Sequence, residues 1–191
     1  MREAGLATMA YYYFDFRDIK KQDCYGLLSS LILQLSAESD SSYNVLFQFF
    51  LDNGRGIRMP DIDALKKCIK DMLRLPGQGS IYIIVDALDE CSNLLGKSSA
   101  RVEVQELIEE LVDLKLPNVH LCVASRSEID IQTVLEPLTS LKICLHDETG
   151  HMNDINEYIK SVVRSDWRMQ KWREDDKQLA IETLSERADG M

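Results

Sequence analysis

The sequence predicts an α/β fold, in which a parallel sheet has helices on both faces and is followed by an α-helical segment. Short runs rich in β-branched and aromatic residues alternate with longer stretches in which apolar residues recur every three or four positions. The short runs are apolar at almost every position, which is typical of parallel strands buried on both faces. After about residue 149 the strand-like runs cease, and only helical patterns follow.

The sequence pattern in the first part of the chain predicts one strand and three helices. Residues 7–16, ATMAYYYFDF, have the composition of a strand. Helical periodicity begins at Gln22, where Asp23 is a suitable N-cap. A second helix is predicted from residues 41–42, and a third over residues 61–75.

The rest of the chain continues this alternation and then becomes helical. The predicted elements are strand 81–85, helix 102–115, strand 119–124, helix 128–138, strand 141–145, helix 154–164 and helix 175–188. The change of pattern predicts two domains, an α/β core over residues 1–148 and a helical extension over residues 149–191.

Composition argues against several classes of protein. The formal net charge of -10 argues against binding to nucleic acid or to an anionic membrane, since both need a basic protein face. No apolar run approaches the roughly 20 residues that span a bilayer, and the N-terminus has no secretory signal. The 5 cysteines are widely spaced and form no C-x-x-C pair, which indicates reduced thiols. A cytoplasmic protein is therefore expected.

The most informative segment is residues 81–91, IYIIVDALDEC, in which an apolar run ends at Asp86 and the acidic pair Asp89 and Glu90 follows. The next predicted strand ends in Ser125–Arg126. Because ligands bind beyond the carboxyl ends of parallel strands, these groups are expected to lie around one site. A carboxylate there suits Mg²⁺, a second can activate water, and an arginine can bind phosphate.

Two further motifs point less strongly to a site. Asp15 and Arg17 lie at the carboxyl end of the first predicted strand, where a local salt bridge or a solvated turn is the favoured interpretation. The triplet 96–98, GKS, resembles the end of the phosphate-binding loop G-x-x-x-x-G-K-[ST], but Cys91 stands where the first glycine belongs. We interpret residues 94–100 as a surface loop.

These motifs together resemble the NACHT domains of STAND-class P-loop NTPases, especially fungal NLR-like proteins that carry a nephrocystin-type N-terminal domain. The resemblance extends over nearly the whole chain and rests on four stretches. They are AYYYFDF at 10–16, IYIIVDALDEC at 81–91, LCVASRSE at 121–128 and LSERADGM at 184–191.

The resemblance implies a role for each predicted site residue. Asp86 would be the Walker B aspartate that holds Mg²⁺, and Asp89 and Glu90 the added catalytic acids, with Glu90 handling the attacking water. Arg126 would be the sensor arginine that, together with Ser125, contacts the nucleotide, ATP or GTP. The family's first strand and phosphate-binding loop are expected upstream of residue 1, so the chain is expected to be a fragment of a P-loop-like core that lacks its first strand.

The implied function is a nucleotide-dependent switch in innate immunity or programmed cell death. This chain alone is expected to have little ATPase activity, because no Walker A lysine accompanies Asp86. An alternative is a non-catalytic module that pairs with itself or with full-length NACHT relatives. A metal-dependent nuclease that uses the three carboxylates is a more distant alternative, which the acidic charge argues against.

Overall fold

The computed structural model describes residues 7–93, 99–144 and 149–188. The chain divides into two compact units, residues 1–139 and residues 140–191. The GKS triplet that resembles a phosphate-binding motif lies outside the described residues. The predicted domain boundary near residue 149 stays a prediction.

The first unit contains a three-stranded parallel sheet in the order β1-β2-β3, with β1 at Ala7–Tyr13, β2 at Ser80–Asp86 and β3 at Val119–Val123. The register pairs Tyr13 with Asp86 and Val85 with Val123, so all three strands end at the same edge. The α/β prediction with a parallel sheet is confirmed.

The helices occupy the connections between parallel strands, as in other α/β folds. Three helices lead from β1 to β2, namely α1 at Cys24–Ser36, α2 at Asp40–Asp52 and α3 at Ile62–Leu73. One helix, α4 at Ala100–Val112, leads from β2 to β3, and α5 at Ile129–Leu135 follows the sheet.

Side-chain caps explain where the first three helices begin. Asp23 accepts a hydrogen bond from the backbone N of Gly26 at 2.7 Å, which confirms the predicted N-cap of α1. Ser39 and Asp61 cap α2 and α3 in the same way. The second helix therefore starts at Asp40, slightly before the predicted start, because Ser39 rather than a later serine supplies the capping oxygen.

The main core lies between one face of the sheet and helices α1, α3 and α4. Buried strand residues alternate with exposed ones, and the exposed fractions of Tyr11, Tyr13 and Tyr82 are 42%, 52% and 40%. In the described part of the chain, helices thus cover one face of the sheet, whereas the sequence prediction placed helices on both. Tyrosine tolerates the open face because its hydroxyl group remains hydrated.

The second unit is helical, as predicted. Helix α6, Thr149–Ser165, packs against α7, Glu174–Arg187, and buries Val163 and Ile181. The predicted strand at 141–145 is wrong over 141–144, which have no regular secondary structure. Residue 145 lies outside the described residues. Among the described helices of the chain, none is both long and apolar enough to cross a bilayer.

A charged cluster links α3 to α4 at the rim of the main core. Lys66 Nζ lies 2.8 Å from Glu110 Oε1, and Lys70 binds the other carboxylate oxygen of Glu110. Desolvation disfavours the charged form of Glu110, but the hydrogen bonds from both lysines outweigh it and lower the pKa of this carboxyl. Ionised Glu110 therefore favours the folded state.

We expect Glu110→Gln to lower the free energy of unfolding at neutral pH by about 0.5–1 kcal/mol, since the cluster is partly exposed. The lowered pKa means that the carboxylate stabilises the fold above its unfolded-state pKa of about 4.3, and that this stabilisation is lost as the pH falls below it. The difference between wild type and variant should shrink between about pH 5 and pH 3. Urea denaturation across this range measures it.

The exposed Glu109 on the same helix provides a matched control. Glu109→Gln should change the free energy of unfolding by less than about 0.5 kcal/mol at every pH. A Glu110→Gln effect that is equally large at pH 7 and pH 3 would contradict the ion-pair explanation and point to altered packing.

Candidate functional site

The carboxyl edge of the sheet is held together by backbone hydrogen bonds between the segments that follow the strands. Phe14 N donates to Asp86 O at 3.1 Å, and Leu88 N donates to Ala124 O at 3.1 Å. The segments after β1, β2 and β3 therefore meet, as the sequence predicted from strand ends alone.

Asp86 is the last residue of the central strand and is half-buried. Its Oδ1 accepts a hydrogen bond from Ala87 N at 2.8 Å, whereas the described residues place no hydrogen bond on Oδ2. Ala87 has a φ of 53°, in the left-handed region that costs a non-glycine residue about 1–2 kcal/mol. The backbone therefore turns sharply between Asp86 and the acidic pair that follows, Asp89 and Glu90.

Asp89 lies in a short 3-10 turn, Leu88–Glu90, and its side chain is only 9% exposed. Its Oδ1 accepts a hydrogen bond from Arg126 N at 3.1 Å, and Oδ2 lies 3.4 Å from Arg126 Nε. Both carboxylate oxygens thus hold the segment after β3, whereas the side chain of Arg126 remains 83% exposed. Asp89 positions Arg126 at the edge of the sheet.

Glu90 reaches in the opposite direction, toward the segment after β1. Its Oε2 accepts a hydrogen bond from Phe16 N at 3.1 Å. In that segment Arg17 Nε lies 3.0 Å from Asp15 Oδ1, which is the local salt bridge that the sequence suggested. The acidic pair after β2 therefore binds the segments on both of its sides.

Ser125 and Gln22 complete the hydrogen bonds around this edge. Ser125 Oγ donates to the backbone O of Arg126 at 2.8 Å. Gln22 Nε2 donates to Phe16 O at 2.6 Å, and Gln22 O accepts from Cys91 Sγ at 3.2 Å. Burial raises the pKa of Cys91 to about 12, so it remains a protonated thiol and a hydrogen-bond donor at neutral pH.

Arg101 is the residue at this site that sequence reasoning missed. It lies in the first turn of α4 and is only 4% exposed. Its guanidinium donates to the backbone O of Asp89 and of Cys91, and it forms ion pairs with Glu128 and Asp130 at the start of α5. One cation thus joins the acidic turn to α4 and α5.

A sequence signal for Arg101 does exist. Positions 101, 104 and 108 fall on one face of α4, and the other two carry the buried residues Val104 and Ile108. A charged residue on the apolar face of a helix must find partners when it is buried. The choice of partners depends on loops that are distant in the sequence.

The three carboxylates of the acidic segment do not converge on one point. Within the described residues, no group of three or more His, Cys, Asp or Glu side chains is placed to hold a metal ion. Over the same described residues, Asp86 and Glu90 each keep one carboxylate oxygen without a hydrogen bond, and of the two only Asp86 lies at the tip of the central strand. Since Mg²⁺ in nucleotide sites takes one or two carboxylates plus phosphate and water oxygens, Asp86 fits one position of such a shell. The predicted catalytic and binding roles stay predictions.

Two cavities of the described residues lie away from this edge. One has a volume of about 230 Å³ and is lined by residues at the starts of β1 and β2, including Thr8 and Ile81. The other, of about 340 Å³, lies between α2 and α3, beside Phe49 and Cys68. Neither cavity is lined by the residues that the sequence predicted as a site.

Comparison with known protein families identifies a family for this chain. Residues 1–126 match the family model described as Nephrocystin 3, N-terminal. No curated protein and no solved structure matches the chain. The matched range contains the three described strands and ends at Arg126, so it includes the strand ends and the acidic turn but not Glu128 and Asp130, the ion-pair partners of Arg101. Because the match extends over 126 of the 191 residues, the chain belongs to the Nephrocystin 3, N-terminal family.

Proposed function

We propose that this chain is part of a NACHT-type, nucleotide-dependent switch, and that the carboxyl edge of its sheet contacts the phosphates of ATP or GTP together with Mg²⁺. The observation that carries the proposal is the arrangement at the end of the central strand. This strand ends in a half-buried aspartate, Asp86, and the turn after it fixes Arg126 at the end of the neighbouring strand. Both groups lie where open parallel sheets bind ligands.

The contacts support a separate role for each charged residue. Asp86 supplies one oxygen to Mg²⁺, and the exposed guanidinium of Arg126 binds phosphate. Asp89 positions Arg126 rather than acting on the substrate, because both of its oxygens already face that residue. Glu90 uses one oxygen to hold Phe16 and leaves the other for an attacking water.

The same edge suits a switch, because one acidic turn holds two flanking segments. A phosphate that draws Arg126 away from Asp89 would loosen the segment after β3, and the helix that follows it would respond. A ligand shifts the equilibrium between two conformations when it binds one of them more tightly than the other. The signalling output, in immunity or cell death, is part of this proposal and rests on the resemblance to NACHT proteins.

Nucleotide binding by this chain alone is proposed to be weak and turnover negligible. Phosphoryl transfer depends on positioning and charge stabilisation, and P-loop proteins obtain both from a lysine and from backbone amides in a glycine-rich loop. The residues of this chain contain no such loop. We therefore expect a Kd for Mg²⁺-ATP of about 1 mM, which corresponds to about −4 kcal/mol.

We expect titration of the isotope-labelled chain with Mg²⁺-ATP to shift the amide NMR signals of Ala87 and Arg126. Asp86→Asn should raise the Kd about tenfold, a loss of about 1.4 kcal/mol, because one metal ligand becomes neutral. Arg126→Ala should weaken binding with Mg²⁺ and without it. Phosphate release should stay at the level of buffer.

Asp52→Asn is the control, since Asp52 lies on α2, away from the carboxyl edge. It should leave the Kd unchanged. Signals that do not move at the carboxyl edge, or a Kd that neither edge variant changes, would refute the proposed nucleotide site. Micromolar Mg²⁺-dependent binding that Asp86→Asn abolishes would support the site and refute the expected weakness.

The open sheet favours a second candidate function, a non-catalytic module that pairs with full-length relatives. The outer edge of β1 is capped, because Gln34 bonds both the backbone N and the backbone O of Tyr11. Among the described residues, no strand pairs with the outer edge of β3, where the backbone groups of Leu121 and Val123 are directed away from β2. Absence of nucleotide binding together with co-purification of a full-length relative would favour this function.

A further inference from the structure

Helix α2 carries a row of exposed aromatic residues that the site does not use. Tyr43, Phe47 and Phe50 are 56%, 48% and 44% exposed, and the rings of Tyr43 and Phe47 stack with centroids 6.3 Å apart. Their spacing of four and three residues puts them on one face of the helix. We call these three residues the aromatic row. Contiguous exposed apolar groups of this kind mark interaction surfaces.

Packing among the described residues of the first unit does not account for the aromatic row. Helix α2 contacts α1 and α3 through a different face, on which Val45, Leu46 and Phe49 pack against the core. Gln48 and Asp52 bind each other next to that face. The helix therefore has two apolar surfaces, and the core covers one of them.

Opposite charges lie at the two ends of the aromatic row. Asp40 is the first residue of α2, and Arg55 lies just beyond its last turn, both of them exposed. A hydrogen bond of 2.9 Å from Arg55 N to Phe50 O fixes this turn, and Gly56 lies against the ring of Phe50. Neither Asp40 nor Arg55 forms a salt bridge within the described residues.

We propose that the aromatic row is the interface of a homodimer, in which two copies of α2 pack antiparallel about a twofold axis near Phe47. Tyr43 of one copy then meets Phe50 of the other, and Asp40 meets Arg55. Twofold symmetry makes each of these contacts twice. A parallel arrangement would instead bring Asp40 against Asp40 and Arg55 against Arg55, which like-charge repulsion disfavours.

The area that the aromatic row can bury limits the affinity of the dimer. A helix of 13 residues is about 20 Å long, so two such helices bury less than the roughly 1,200–2,000 Å² of a stable complex. A reversible dimer with a Kd of about 10–100 μM is expected, or about −6 kcal/mol. The contact needs no nucleotide and is independent of the carboxyl edge.

Sedimentation of the full chain over about 10–500 μM, without nucleotide, tests this proposal. The mass should rise from the monomer value of 21.9 kDa toward twice that value. Phe47→Asp should raise the Kd more than tenfold. Tyr158→Asp replaces an exposed aromatic residue on α6 and should leave the Kd unchanged. A monomer at every concentration, or a dimer that only Tyr158→Asp weakens, overturns the proposal.

Charge exchange tests the antiparallel arrangement itself. Asp40→Arg and Arg55→Asp should each raise the Kd several-fold, because each creates two like-charge contacts across the twofold axis. The double variant restores both contacts with the charges exchanged, so its Kd should return to within about twofold of wild type. Circular dichroism establishes that each variant is folded. A double variant that dimerises no better than either single variant overturns this arrangement.

Discussion

Replacing Arg101 with methionine is expected to lower the free energy of unfolding by about 3 kcal/mol. Methionine fills much of the same volume, so the loss comes from charge and hydrogen bonds rather than from a cavity. The backbone O atoms of Asp89 and Cys91 would lose a buried donor, and an unsatisfied buried acceptor costs about 1–3 kcal/mol. Glu128 and Asp130 are partly exposed, so water replaces the ion pairs at smaller cost.

The change should be visible both in stability and at the site. Urea denaturation should give a lower midpoint for Arg101→Met, and amide NMR signals of Asp89 and Arg126 should shift or broaden, because Arg101 holds the acidic turn. Arg58→Met, at an exposed position in a loop, should change the free energy of unfolding by less than about 0.5 kcal/mol. Equal effects of the two substitutions would contradict the role assigned to Arg101.

Arg101→Lys distinguishes charge from geometry. Lysine keeps the positive charge but has no planar fork, so it cannot reach two backbone carbonyls and two carboxylates at once. We expect it to recover less than half of the stability lost in Arg101→Met. Full recovery would show that the buried charge alone matters.

The elements that were predicted correctly are those whose signals are local. Helix α3 has a strict apolar face, with Leu65, Ile69 and Met72 at helical spacing, and Asp61 supplies its cap. Strand β2 is a short apolar run between a turn and an acidic residue. Such signals depend only on near neighbours in the sequence, and tertiary contacts reinforce them.

The errors of prediction arise where the partner is remote. Tyr11 and Tyr82 belong to strands that are apolar or aromatic at almost every position, which suggested burial on both faces, yet both side chains are exposed. The run at 141–144 has the residues of a strand, but no described strand pairs with it. A strand exists only when a second strand completes its hydrogen bonds, and composition does not contain that information.

The candidate site shows the same difference between features that have a local sequence signal and features that depend on remote residues. Periodicity and parallel topology were enough to predict that the strand ends meet at one edge. The actual contacts of Asp89 and Glu90, one with Arg126 and the other with Phe16, depend on the backbone of the turn between them and Asp86. That turn contains Ala87 in a left-handed conformation, which no local preference of alanine predicts.

Gly26→Ala is expected to lower the free energy of unfolding by about 2–3 kcal/mol, although glycine to alanine inside a helix normally stabilises by about 1 kcal/mol. A Cβ atom at Gly26 would lie 2.7 Å from the backbone O of Lys20, 2.7 Å from Tyr12 Oη and 3.3 Å from Asp23 Oδ1. The first of these atoms is backbone, so a side-chain rotation does not relieve the overlap. The same shift would disturb the N-cap bond from Gly26 N to Asp23.

A double-mutant cycle with Tyr12→Phe identifies the cause of this loss. Tyr12 is buried, and its hydroxyl donates to Lys20 O at 3.4 Å, so Tyr12→Phe removes one of the two closest obstacles and leaves the other. Gly26→Ala should therefore cost about 1 kcal/mol less in the Tyr12→Phe background than in wild type. Ser29→Ala in the same helix is the control, with an expected change below about 0.5 kcal/mol. A higher midpoint of urea denaturation for Gly26→Ala would contradict this expectation, because helix propensity would then outweigh the overlap. The close approach of α1 to the segment after β1 would in that case be less rigid than the hydrogen bonds of Asp23 and Tyr12 indicate.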